Sequence, residues 1–441
     1  MPNLLAARSQ MALSLAFHIV FAEVGIAMPL MMIIAEWRWL RTGEQVYLEL
    51  AKRWAKGTAI LFAVGAVSGT VLSFELGLLW PNFMRFAGSI IGMPFSLEGF
   101  AFFTEAIFLG VYLYGWNRVG PRMHLTAGVL VALSGVLSGV FVVDANAWMN
   151  TPAGFKIVDG RITDIDPIGA MLNPAAAHEV LHMTLAAFIA TGFAVAAIHA
   201  FFLLRDRRNA FHRNALGIAL ALGCISAPLQ LISGDFSARS VARLQPAKLA
   251  AMEAVYQTQT GAPWRLGGIP DDESRTTRYA LTIPRGLSLL VNRDPNSKII
   301  GLDQFPPNDW PNVRLAHWSF DLMILCGLAL IALSMAVGWL AWKNHGVPDG
   351  KWILRTIVAA GPLGFVAIEA GWIVTELGRQ PWIIYGVMRT REAVTPMPRI
   401  AIPFVIFTLI YVFLSVALVF LLRRQFTKTD APGSKLVTKN V

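Results

Sequence analysis

Residues 175–202 read AAAHEVLHMTLAAFIATGFAVAAIHAFF. The stretch opens on His178-Glu179-Val180-Leu181-His182, an H-E-x-x-H. On a helix that pattern sets two zinc ligands and a general base on one face. The chain then continues for twenty residues that are almost wholly apolar, which is the length of a membrane span. The stretch is therefore either a protease buried in a bilayer or a span whose histidines hold something else.

Composition favours the membrane. The chain has 441 residues, 55% of them hydrophobic and only 15% charged, where soluble domains carry about 25% charged residues. Its two cysteines, Cys224 and Cys326, sit in apolar runs and offer no disulfide framework, Cys-rich zinc site or iron–sulfur motif. No cleavable leader is evident, because the first apolar run, near Met11, is long enough to span.

Apolar runs predict an all-α, polytopic membrane protein with nine transmembrane helices, near 11–35, 57–79, 95–115, 124–146, 180–204, 214–233, 315–342, 353–376 and 402–422. One set of connections is rich in Lys and Arg: Arg38, Arg41, Lys52, Arg53 and Lys56; Arg118 and Arg122; Arg205, Arg207, Arg208 and Arg213; Lys343 and Lys351; and a tail from Arg423 to Lys439. The alternate set is poorer, with Arg85, Lys156, Arg161 and a cluster from Arg379 to Arg399. The positive-inside rule then places the N-terminus outside and the C-terminus inside. The net charge of +10 is mostly topological, and no nucleic-acid partner is expected. The chain divides into helices 1–6 (1–233), a long outer segment (234–314), helices 7–9 (315–422) and a cytoplasmic tail (423–441). A polar segment of that length is far above ordinary loops. Within it PAKLAAMEAVYQTQ (246–259) has helical periodicity, and GGIPDDES (267–274) reads as loop.

Ionisable groups inside spans are costly and mark function. His18, Glu98, Glu105, Asp144, His182, Asp321, Glu369 and Glu376 all fall on the outer halves of the predicted spans, with Met323 and Trp372 beside them. Glu98 and Glu105 share a helix face at a spacing of seven, as do Glu369, Trp372 and Glu376 at spacings of three and four. Such convergence suggests one site built from many helices. His124, His199, His212, His317 and His345 read instead as polar residues bonded to neighbouring helices, and His178 has no ligand role.

A zinc protease would use His178, His182 and Glu179 with a third ligand. The related Leu-Asp-Gly setting is missing: Leu302-Asp303 lies in the outer segment and is followed by Gln304. Haem explains more. A His–Met pair is a common axial set for an electron-transfer haem, and nearby carboxylates can deliver the protons that oxygen reduction consumes. A haem carrier without oxygen chemistry is the third alternative.

The stretch EAGWIVTELGRQPW (369–382) closely resembles the signature of cytochrome bd-type quinol oxidase subunit I. RSQMALSLAFH (8–18), SLEGFAFFTEAIFLG (96–110), ANAWMNTP (145–152) and AKLAAMEAVYQTQ (247–259) are similar to that family too, so the resemblance covers essentially the whole chain. It implies a respiratory-chain enzyme, a quinol:oxygen oxidoreductase of the ubiquinol oxidase type, in the bacterial inner membrane. His182 and Met323 would ligate a low-spin haem b. His18 and Glu376 would each hold a high-spin haem, one of them haem b and the other haem d or a third haem b. Glu98 and Glu105 would line a proton route or brace the high-spin pair. Trp372 and Arg379 would sit at the haem cluster, Arg379 facing propionates. Lys248 and Glu253 would serve quinol oxidation in the outer loop. Implied partners are a second membrane subunit (subunit II), a small accessory subunit, ubiquinol or menaquinol, dioxygen and the lipid bilayer. Two departures stand out. Phe320-Asp321-Leu322-Met323 replaces the Phe-Arg-x-Met of many relatives, and the loop is short, similar to the short-loop, cyanide-insensitive branch.

Overall fold

Long apolar runs become helices in a bilayer because only a helix satisfies every backbone N–H and C=O within its own segment. The computed structural model describes residues 2–427. Among the described residues, nine helices are long and apolar enough to cross a membrane. They are Asn3–Thr42, Gln45–Leu79, Pro81–Tyr114, Pro121–Asn150, Ala176–Arg205, Ala210–Leu244, Val313–Asn344, Lys351–Arg379 and Ala401–Gln425, called here spans one to nine. Every predicted run falls on one of them. The helices are longer than the runs because their ends carry polar residues that hydropathy discards. The third begins at Pro81, not near 95, with Pro at its first turn, where the missing N–H costs nothing. The eighth is broken at Gly361-Pro362 into Lys351–Ala360 and Leu363–Arg379. The predicted tail beyond 427 lies outside the described residues.

Nine consecutive spans place the N-terminus and the 245–312 connection on one side of the membrane, called here the N-side. The sixth helix runs to Leu244, so this connection starts later than the predicted 234. It folds into a short helix, Pro246–Met252, and three antiparallel strand pairs: 259–260 with 298–299, 264–266 with 281–283, and 269–271 with 276–278. The helical reading of 246–259 holds only for its first half. Glu253 caps the helix and Ala254 takes a positive φ of 47°.

The largest buried cluster joins spans one to seven with the first part of span eight, through residues such as Met31, Leu50, Tyr112, Phe193, Leu216, Leu333 and Ile357. A second lies at the N-side ends of spans one to four, around Trp80, Phe83, Ile90 and Trp148. The N-side connection has a core of its own, Leu249, Val255, Tyr256, Leu287, Ile299 and Leu302, so it is a folded cap and not a loose loop.

Candidate functional site

His18 sits on span one. Its Nδ1 lies 2.9 Å from Ser68 Oγ, whose own hydrogen is directed at the backbone carbonyls of Val64 and Gly65. Ser68 therefore accepts from His18 Nδ1–H, which leaves Nε2 carrying the lone pair. Gly69 makes room: a Cβ there would lie 3.0 Å from His18 Cε1.

His182 is set up the same way on span five. Its Nδ1 is 3.3 Å from Ser233 Oγ, and Gln230 Nε2 donates to its Nε2 at 3.0 Å. Nε2 is again the acceptor nitrogen, held by span six. Met323 on span seven lies against Gly371 of span eight, where a Cβ would come within 2.9 Å of its Sδ. Around Met323 pack Met252, Phe320, Val374, Val241 and Ile324.

Glu376 is the hub of a polar network. Asn146 Nδ2 donates to its Oε1 at 2.7 Å, and Arg379 Nη2 donates to its Oε2 at 2.5 Å. Arg379 Nη1 reaches Asn150 Oδ1 at 3.4 Å. Asn150 donates to Glu179 Oε1 at 2.9 Å and accepts from Gln245 Nε2. Arg379 is only 1% exposed, yet its Nε has no partner. An orphaned buried donor beside an acid suits an anionic group such as a propionate. Trp372 lies about one turn before Glu376 on the same helix.

Glu98 accepts from Ser138 Oγ of span four at 3.2 Å. Glu105 is buried in a notch between spans one and four, where Cβ atoms at Gly25 and Gly135 would lie 3.9 and 3.5 Å from its Oε1. That oxygen has no hydrogen-bond partner.

Lys248 and Glu253 are buried, at 3% and 5% exposure, so they are not a pair on a solvated helix. They face different ways. The Lys248 stem packs on Gly378. Burial lowers its pKa, while Glu179 and Glu376 pull it back up against Arg379. Glu253 faces Asp321 and Arg265. Burial, helped by Asp321, pushes its carboxyl up to about 8 against the pull of Arg265.

The zinc reading does not survive this geometry. His178 packs on Phe236, Glu179 bonds Asn150, and His182 bonds span six. Among the described residues no three His, Cys, Asp or Glu side chains gather as a metal site.

The family model for cytochrome bd terminal oxidase subunit I matches residues 6–430. The chain belongs to the cytochrome bd oxidase subunit I family. It is 37% identical over 434 residues to a Bacillus subtilis (strain 168) protein named for cytochrome bd menaquinol oxidase subunit I, covering 97% of each chain. A cytochrome bd ubiquinol oxidase subunit 1 from the same organism is 30% identical, covering 97% of this chain and 94% of that one. The bd oxidase of Geobacillus thermodenitrificans superposes with a TM-score of 0.90 at 39% identity, covering 97% of this chain and 98% of that one.

As a bd-type subunit I, the chain is a haem-containing quinol oxidase component and a multi-pass protein of the bacterial inner membrane. Subunits of this family work with a subunit II. The donor sets fit haem: two imidazoles whose Nε2 carries a lone pair, a thioether seated on a glycine, and a carboxylate braced by Arg and Asn. Sequence reasoning passed over Asn146, Asn150, Gln230 and Ser233, which orient these groups. Polar amides inside apolar spans were the available signal. It also passed over Glu23 and Glu75, acids within predicted spans; Glu75 accepts from Gln10 and Ser14, each at 2.9 Å.

Proposed function

We propose that this chain oxidises a membrane quinol at its N-side cap and holds the haems that carry the electrons to dioxygen. Haem bound here would supply one-electron relay at His182 and Met323 and an open iron position near His18 and Glu376. The protein's part is orientation and proton handling. Ser233 and Ser68 fix the imidazole tautomers. Asn146 and Arg379 hold Glu376. Glu253, buried in the cap, takes a proton from the quinol when it is ionised. Glu98 and Glu105 carry protons inward from the opposite side, with subunit II completing the route. The N-side is the outside, as the charge asymmetry of the connections supports. Quinol protons then leave outside while oxygen's protons enter from inside, which separates charge without pumping.

The observation that carries this reading is the burial of Lys248 and Glu253 in a folded cap beside the Glu376–Arg379 network and span seven. It is tested on the purified two-subunit complex. Reduced-minus-oxidised spectra with carbon monoxide should show a low-spin b component and a reactive high-spin one. A red-shifted chlorin band would assign haem d, and its absence a third haem b. His182→Ala should remove the low-spin component and quinol oxidation together; retained quinol oxidation would sink the electron route. Turnover with ubiquinol and menaquinol analogues assigns the headgroup.

A further inference from the structure

The cap is pinned to span seven at one turn. Gly267 N donates to Asp321 Oδ2 at 2.8 Å, His317 Nε2 lies 2.9 Å from Gly267 O, and Trp318 Nε1 donates to Gly268 O at 2.9 Å. His317 Nδ1 meanwhile sits 2.7 Å from Met252 O. These contacts lock two pieces of the cap together: the end of the 246–252 helix, which carries Glu253, and the strand 264–266, which carries Arg265.

Two polar atoms are left over at this junction. Arg265 Nη1 is a buried donor with no partner, and Glu253 Oε2 is a buried acceptor with none. The two side chains feel each other's charge, yet they form no ion pair among the described residues. Burial holds the Arg265 guanidinium below its ordinary range. Asp321 is committed to Gly267. Met252, next to Glu253 in the chain, packs with Phe320, Val374 and Met323, an apolar surface. An unsatisfied buried donor and acceptor are each costly, and a donor, an acceptor and an apolar wall together suit a hydroxylated ring.

We propose that Arg265 is a quinol-binding residue that donates a hydrogen bond, through Nη1, to the quinol oxygen that Glu253 deprotonates. The inference rests on the quinol-oxidase reading above. As the O–H bond breaks, its proton passes to Glu253 Oε2 and negative charge builds on the oxygen. Arg265 steadies that charge, as a fixed donor in a site shielded from water does. The second hydroxyl proton goes to solvent. The ring becomes a quinone as its two electrons leave towards the haem side and, finally, dioxygen.

The test uses the purified two-subunit oxidase with Arg265→Gln and Arg265→Lys. Quinol is titrated at saturating oxygen, and the midpoint potential of the low-spin haem is measured alongside. Arg265→Gln should raise KM for quinol by about tenfold or more, the loss expected for one charged hydrogen bond. Arg265→Lys should recover part of that, and the midpoint should stay at the wild-type value. If Arg265→Gln does not assemble, Arg265→Lys decides: it should still raise KM severalfold. Unchanged KM in an assembled variant overturns the proposal. A shifted midpoint at unchanged KM also overturns it and assigns Arg265 to a haem propionate. A wild-type complex that does not oxidise quinol defeats the functional reading itself, and this inference with it.

Discussion

Asn146 Nδ2 donates to Glu376 Oε1 at 2.7 Å, tying span four to span eight at the acid expected to face a high-spin haem. With Arg379 on the other oxygen, each oxygen of the carboxylate accepts one hydrogen bond. Asn146→Leu strips one of them. The expected cost is about 1 kcal/mol, since a partly buried acceptor loses one of its partners. The high-spin absorbance should change while the low-spin component stays. Thermal unfolding and optical spectra of the same preparation check both. An unaltered high-spin spectrum would remove Asn146 from the site.

Gly371 matters for Met323. A methyl group at residue 371 would sit 2.9 Å from Sδ, closer than such atoms approach, so Gly371→Ala must displace the sulfur. The side chain is flexible, so the fold should survive while the ligand leaves. The low-spin signature should fall and carbon monoxide should begin to bind there. A low-spin spectrum identical to wild type would exclude Met323 as the ligand.

The nine spans were legible because each needs about twenty apolar residues in a row, and hydropathy counts nothing else. The ends were not. Glu49, Lys52 and Arg53 lie within the second helix but read as loop, since a helix that leaves the hydrocarbon may carry charge. His18, His182, Met323 and Glu376 stood out by chemical type. Ser68, Ser233 and Asn146 did not, because a single hydroxyl or amide in a span gains meaning only from what faces it. Lys248 and Glu253 are expected at a quinol site from the resemblance, but a spacing of five on a short helix does not by itself show that both are buried. The chain turns at Glu253, and the pair is buried facing two different sites. Arg265 was invisible for the same reason: its position depends on the clamp that His317, Trp318 and Asp321 make on a distant turn.

Glu253 should impose a pH dependence on quinol oxidation. Its ordinary value of 4.5 is pushed up to about 8 by burial and by Asp321. Below that pH the group holds its proton and cannot accept one; above it the carboxylate is available. Quinol-limited turnover should therefore rise with pH and level off above about 8. The stability sign runs the other way. Between 4.5 and about 8 the folded state keeps a proton that the unfolded chain has released, so this group makes the fold less stable as pH rises. Glu253→Gln should lower the rate and flatten its dependence. A variant that kept the wild-type profile would show that another group takes the proton.

Far from the cap, Glu36 and His124 form a buried pair that joins spans one and four. Their Oε1 and Nδ1 atoms are 2.8 Å apart, with side chains 1% and 3% exposed, and His124 Nε2 faces Tyr112 O at 2.9 Å. His124→Leu leaves the acid alone in an apolar setting, a loss of about 3–5 kcal/mol. Glu36→Leu leaves the imidazole without its partner. The double variant replaces both with packing groups and should regain much of that stability, because the pair's own desolvation is then removed as well. A double-mutant cycle on thermal unfolding of the complex measures the coupling. A double variant as unstable as the sum of the singles would mean the two residues act independently. Haem content should be wild type in all three variants, since this pair stands at the opposite end of the helices from His18 and Glu376.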